Sequence, residues 1–492
     1  MDNDKREFLD TVCKQISYKP IQKELRREIE DHIEDSSMDG VDQGMNIKDA
    51  ERHALSRMGN PIDIGKNLNK LHHRRISKEI VLMLIGILFI SYFYYFMQFA
   101  NESDISTPIY QIVQNLVSRV DLWIYIVIFL IVGLIGFKFI NTYMTTSCIL
   151  LYGVPALFFL TNLSVFSVEK VMNLYLFVSI PVLCIILYKN RHRNYAALFK
   201  AGIFISIIIG VYLRFTKYQY HLLAIFLLSC FTILLLCVLQ NWFIVNKKTM
   251  CIILSSILAI IFTAGYILLP YMKAETKMFF SLKDNNRTVY STTYDGVVIR
   301  DLIGRASFKD GVKMDTDEIL SYKPAMWMRY GFQNVSELLQ NENFNNISIE
   351  QEKQMRNIGA LPEINNTNAS VDKLLPSFAG TYYQIARMII RHGWWIGLVV
   401  LILISFISLY LIKVSLQMKN KLAFILAIGS SSMFILQMIS NVLLNFGFMF
   451  SEPIAFPIAG YSLTIAFGNV LLLGIIFSAY RYDTVIRDRY RY

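Results

Sequence analysis

LQMISNVLLNFGFMFSEPIAFPIAGYS, residues 436–462, is an apolar run carrying polar groups that a bilayer resists. Gln437, Asn441 and Asn445 recur at i, i+4 and i+8, so on a helix they share one face. The run then breaks at Pro453, Pro457 and Gly460 before a last apolar stretch. Polar side chains at membrane depth usually face other helices or a cavity. Irregular backbone is tolerated there only where protein or water satisfies its freed groups. The block is therefore expected to line something inside a membrane protein.

Composition agrees with that reading. The 492 residues are 54% hydrophobic, 14% aromatic and only 17% charged, richer in apolar groups than a soluble globular chain. Apolar runs of about 20 residues, the length that crosses a bilayer as helix, start near Ile80, Leu122, Tyr143, Val171, Ala197, Tyr220, Met250, Trp394, Leu422 and Ile458. The fold class expected is mainly α: a polytopic membrane protein of about ten transmembrane helices. The fourth span, which contains Pro181, is the weakest on sequence.

Basic residues set the orientation. Arg74, Arg75 and Lys78, Lys189, Arg191 and Arg193, Lys247 and Lys248, Lys413, Lys419 and Lys421, and Arg487, Arg489 and Arg491 all fall on one side if the N-terminus is cytoplasmic. The other side's short loops hold mainly Arg119, Lys170, Arg214 and Lys217. The positive-inside bias then places both termini in the cytoplasm of a multi-pass protein of the cytoplasmic membrane, with no secretory signal peptide before the first span. The net charge of +11 reads as topology and attraction to anionic headgroups, not as nucleic-acid binding. Five of the six cysteines, Cys148, Cys184, Cys230, Cys237 and Cys251, lie in apolar spans, and Cys13 lies near the N-terminus. None forms a CxxC pair or has a histidine at zinc spacing, so no disulfide framework and no metal site is expected.

The chain divides by composition into residues 1–72, soluble and helical; 80–272, spans one to seven; 273–391, a large polar extracytoplasmic loop; 392–480, spans eight to ten; and 481–492, a basic tail. In the first region Pro20 suits a first helical turn, and Ile21, Leu25, Ile29 and Ile33 form one apolar stripe. Asn46 is a plausible N-cap, and the helix it starts ends near Gly59 and Pro61. The acidic cluster Glu28, Glu30, Asp31, Glu34 and Asp35 is most simply a solvated helix face.

The loop of roughly 120 residues is long enough to be functional or disordered. It ends in LPSFAGTYYQIARMIIRHGWWIG, where Arg387, Arg391 and His392 sit among apolar residues. These cations suit an anionic lipid phosphate, or they anchor an amphipathic helix leading into the eighth span.

At these residues the chain resembles a known family. The ten-span layout with a large insertion after the seventh, followed by Gln437 and Asn441 and by Pro453, Phe456, Pro457, Gly460 and Tyr461, is similar to the SEDS family of FtsW, RodA and SpoVE type. The first 72 residues resemble a helical prefix domain fused to some Gram-positive permeases and SEDS proteins, through Glu28-x-x-x-His32-Ile33 and Ala54-x-x-x-Met58-Gly59-Asn60-Pro61. The resemblance implies peptidoglycan glycan polymerisation from lipid II, with the lipid-linked cell-wall precursor as substrate and a penicillin-binding transpeptidase as partner. It also implies a carboxylate before the eighth span acting on the attacking hydroxyl. Aligned on Gly393, that position holds Tyr382, and a phenol is a poor base at neutral pH. Asp372 and Glu363 are the nearest replacement carboxylates. Substrate-binding candidates are Arg387, Arg391, Gln437, Asn441 and Tyr461. No cofactor motif is visible; a divalent cation at a diphosphate would be compatible with the chemistry, though no clustered carboxylates mark it. Three readings follow: a divergent polymerase, a non-catalytic relative that binds the precursor or a partner, and a transporter built on broken helices.

Overall fold

The computed structural model describes residues 2–71, 120–161, 168–216, 220–268, 293–321, 371–374, 382–448, 456–457 and 463–486. Among the described residues the regular structure is helical, with no strand.

Residues 2–71 form four helices: α1 (Asp2–Lys14), α2 (Lys19–Asp42), α3 (Ile47–Met58) and α4 (Pro61–Leu71). Pro20 lies in the first turn of α2, where its missing N–H deprives no carbonyl of a partner. The stripe Ile21, Leu25, Ile29 and Ile33 is buried in one cluster with Leu9 and Val12 of α1. Asn46 occupies the N-cap of α3 in extended conformation, but its side chain makes no capping bond. Its carbonyl opens the helix instead, accepting from the Asp49 and Ala50 N–H groups. Asn60 does cap: its Oδ1 accepts from the Ile62 N–H at 2.9 Å and starts α4. In the acidic cluster Lys5 reaches Glu34 at 2.7 Å and Glu30 at 3.4 Å. Asp31 and Asp35 face solvent.

The apolar part of the chain supplies α5 (Val120–Thr142), α6 (Met144–Thr161), α7 (Val168–Lys189), α8 (Tyr195–Phe215), α9 (Tyr220–Leu239) and α10 (Lys247–Leu268). After the polar insertion it supplies α14 (Trp394–Leu416), α15 (Lys421–Asn445) and α16 (Leu463–Tyr482). The insertion itself contributes α11 (Thr293–Arg305), α12 (Thr316–Ser321), a 3-10 turn at Val371–Leu374 and the short α13 (Gln384–His392).

Six of these helices, within α7, α8, α9, α14, α15 and α16, are long and apolar enough to cross a membrane. Helices also stand where the second, third and seventh spans were expected, in α5, α6 and α10. The first expected span, from Ile80, lies outside the described residues.

α7 and α15 form the centre of the bundle. α15 packs on α7, α9, α14 and α16, and α7 also packs on α6, α8 and α9. Pro181 does not break the fourth expected span: α7 runs unbroken through it and is largely buried. A proline frees one helical carbonyl, and here the helix is held through it by neighbours on several sides. The periphery is formed by α8 and α14, most of whose apolar residues are not buried. Their outward residues, such as Phe199 and Ile207 of α8 and Ile402 and Phe406 of α14, are apolar and exposed, as suits lipid.

Two contacts fix the direction of the helices. The His192 N–H donates to the Trp242 carbonyl at 2.7 Å, joining the C-terminal ends of α7 and α9. Cys184 Sγ, near the end of α7, lies 3.3 Å from the Ile425 carbonyl near the start of α15. Lys189, Arg191, Arg193, Lys247, Lys248, Lys419 and Lys421 therefore gather at one end of the bundle. All six cysteines are free thiols; Cys184, Cys230 and Cys237 are buried, whereas Cys13, Cys148 and Cys251 are half-buried.

Candidate functional site

The polar stripe of α15 lies inside the protein, and other elements take up its hydrogen bonds. Gln437, Asn445 and Asn469 of α16 are fully buried, and Asn441 is 2% exposed. Gln437 Nε2 donates to Asn469 Oδ1 at 3.1 Å, and Asn469 Nδ2 donates back to Gln437 Oε1 at 3.0 Å. The Asn469 amide also reaches the Pro457 carbonyl at 2.9 Å. One carbonyl of the proline-bearing segment is thereby satisfied by a side chain, which a dry environment demands.

Two turns along α15 the stripe meets α13. Asn441 Nδ2 and Asn445 Nδ2 both donate to the Tyr382 carbonyl, at 3.2 and 3.0 Å. Asn445 Oδ1 accepts from the Ala386 N–H at 3.0 Å. Ala386 is the third residue of α13, so its N–H is one of the groups that a helix start leaves without an internal acceptor. The N-cap of α13, Tyr383, makes no side-chain cap. Asn445 thus supplies from a neighbouring helix the acceptor that a local Ser or Asp would normally provide. Asn441 and Asn445 are further linked: Asn445 Nδ2 donates to the Asn441 carbonyl at 2.8 Å.

The far end of α13 is capped by the insertion. The Val312 N–H donates to the Ile390 carbonyl at 2.7 Å. The same segment closes the start of α14, where the Trp394 and Trp395 N–H groups donate to the Ser307 and Phe308 carbonyls, both at 3.0 Å. Between the two helices Gly393 adopts φ +87, and a Cβ there would lie 2.8 Å from the Phe308 carbonyl. Gly311 passes so close to the Ile390 and Arg391 carbonyls that no Cβ fits. Residues 303–312 form a collar that holds α13 and α14 at a fixed angle.

Arg387 and Arg391, four residues apart, share the half-buried face of α13, while Ile385, Met388 and Ile389 are buried against the bundle. Arg300 of α11 is half-buried, with Nε 3.3 Å from the Gly296 carbonyl, and its burial lowers the guanidinium pKa from the ordinary value. Of the replacement carboxylates, Asp372 lies in the Val371–Leu374 turn, which is pinned by the buried Leu374, and its side chain is outside the description. Glu363 and Tyr461 also lie outside the described residues. Tyr382 is half-buried. The structure thus brings Asn441 to Tyr382, next to the helix that carries Arg387 and Arg391, whereas Gln437 lies one turn away along α15 and pairs with Asn469. The two α15 residues are spent on protein contacts. Among the described residues no three His, Cys, Asp or Glu side chains group as a metal site.

Sequence reading missed a second polar node, at the opposite end. Asp483, 3% exposed, accepts from the Lys419 and Asn420 N–H groups at 2.7 and 2.8 Å. Asn420 Oδ1 then caps α15 by accepting from the Leu422 and Ala423 N–H groups, and its amide donates to the Ile486 carbonyl. The available signals were an Asn directly before KLAFILAIG and a lone acid in the basic stretch RYDTVIR. Asn469, the other missed residue, is the one strongly polar side chain in TIAFGNVLLLGII.

The chain matches no protein-family model, and no curated protein matches it.

Proposed function

We propose that this chain is a SEDS-like membrane protein of bacterial cell-wall synthesis, division or sporulation that holds a lipid-linked precursor or a partner without itself polymerising glycan. The observation that carries the non-catalytic reading is the use made of Tyr382. At the position where the resemblance puts a catalytic carboxylate, the backbone carbonyl is the shared acceptor of Asn441 and Asn445. A general base needs a side chain within hydrogen-bond reach of its proton and a pKa near the operating pH, which a phenol lacks. A residue clamped by its own backbone, carrying a phenol, is suited to fixing α13 instead.

The proposal includes the ten-span layout, both termini in the cytoplasm and residues 273–391 outside. Helices at nine of the ten expected positions support the layout, and the gathering of Lys and Arg at one end of the bundle supports the orientation. Arg387 and Arg391 on the half-buried face of α13 are the groups assigned to the precursor's phosphates.

Purified full-length protein incubated with lipid II, beside an active polymerase as control, tests the reading. Saturable binding with no polymer is expected. Polymer that disappears in Asp372→Ala would overturn the non-catalytic version in favour of catalysis from the Val371–Leu374 turn. Neither binding nor polymer, with substrate counterflow in proteoliposomes, would replace the whole proposal with a transporter.

A further inference from the structure

The collar carries an exposed aromatic residue on a backbone too constrained to hide it. Residues 307–310 form a closed turn: the Ser307 N–H donates to the Asp310 carbonyl at 3.1 Å, and the Asp310 N–H donates to Ser307 Oγ at 2.8 Å. Phe308 and Lys309 form its tip. The turn is fastened to the start of α14 by the Trp394 and Trp395 N–H bonds and by the close backbone approach of Gly393. Phe308 nevertheless stays 60% exposed.

Its surroundings say what covers it. Trp395, bonded through its N–H to the Phe308 carbonyl, is 45% exposed and begins an apolar stripe on α14. Leu398, Val399 and Ile402 continue that stripe at helical spacing, 41%, 49% and 66% exposed. This is the outward face of a helix long and apolar enough to cross a membrane. Phe308 stands at the head of the stripe, beside a tryptophan, with Lys309 and Lys313 flanking it. Lys313 lies 3.8 Å from Asp310, and the two lysines outnumber the one aspartate, so the turn is positive. Aromatic rings with lysines beside them at the end of a span are the pattern of the membrane–water interface, where the ring enters the acyl boundary and the ammonium stays in water.

The geometry points to the Ser307–Asp310 turn as a membrane-inserted wedge: Phe308 enters the bilayer interface next to Trp395 and pins the collar to the membrane plane. The Ser307–Asp310 part of the polar insertion therefore lies against the lipid surface, not standing away from it. This inference rests on α14 spanning the bilayer and not on any cell-wall role.

Photo-crosslinking of full-length protein in native membranes tests it, with p-benzoylphenylalanine replacing Phe308, Ile402 or Asp317 in separate variants. Phospholipid adducts, read as mass shifts of the labelled peptide, are expected at 308 and 402, with at least a tenfold lower yield at 317. Lipid adducts at 402 with none at 308, or a protein adduct at 308, would overturn the wedge. No lipid adduct at 402 would overturn the spanning assignment on which the wedge depends.

Discussion

Gln437 and Asn469 exchange two amide hydrogen bonds, 3.1 and 3.0 Å long, across the contact between α15 and α16. Each amide supplies the donor that the other's oxygen needs in a region neither shares with water. Removing one side leaves a buried donor and acceptor without their main partner.

Gln437→Leu is therefore expected to destabilise the protein by about 1–2 kcal/mol, within the range for interhelical hydrogen bonds and stranded buried amides. Thermal unfolding of detergent-solubilised protein reads this as a lower Tm. The double variant Gln437→Leu/Asn469→Leu should lose less than the sum of the single losses, because neither side-chain amide is left without its partner, while the Pro457 carbonyl loses its donor in both variants that lack Asn469. Strict additivity would show that the pair is not a coupled unit.

Asn445→Ala removes the acceptor of the Ala386 N–H and one donor to the Tyr382 carbonyl. Loss of an N-cap costs about 1 kcal/mol. The effect should be local: hydrogen exchange at Gln384–Ala386 should rise several-fold, while α7 remains protected. Asn445→Asp keeps the acceptor and should restore protection at Ala386 more than Asn445→Ala does.

Gly311→Ala tests the collar. A Cβ at that position collides with the Ile390 and Arg391 carbonyls, and backbone cannot yield as a side-chain tip can. The turn is expected to detach from α13, at a cost of roughly 1–3 kcal/mol. Limited proteolysis should show faster cleavage between α11 and α12, with cleavage elsewhere unchanged.

Asp483→Ala strands the Lys419 and Asn420 N–H groups at the other end of the bundle. Hydrogen bonds to a charged acceptor contribute about 1.5–3 kcal/mol each, so a fall in Tm larger than that of Gln437→Leu is expected. Asp483→Asn retains an acceptor oxygen and should recover most of the loss.

The spacing of Gln437, Asn441 and Asn445 announced a buried polar face, because one helix period places them together whatever surrounds them. What the face meets was not legible. Asn469 lies 32 residues beyond Gln437, and Tyr382 lies 59 residues before Asn441. Distance along the chain hides such pairs from local pattern. The expectation that the block lines something was therefore half right: it lines the seat of α13, and its amides are used up in doing so. Pro181 misled in the opposite sense, since its penalty is local whereas the packing that holds α7 comes from several other helices. The stripe of α2 was the easiest part to read. Ile21, Leu25, Ile29 and Ile33 needed only a neighbouring apolar helix, which the preceding residues supply.

The reliance of α13 on Asn445 imposes a timetable on biosynthesis. A ribosome delivers Ala386 long before Asn445, 59 residues later, so the nascent α13 waits for its acceptor through the insertion of two further spans. Gln437 in turn waits 32 residues for Asn469. A chain arrested before the last helix would hold Asn445 and the collar's own bonds, yet its Gln437 amide would lack Asn469.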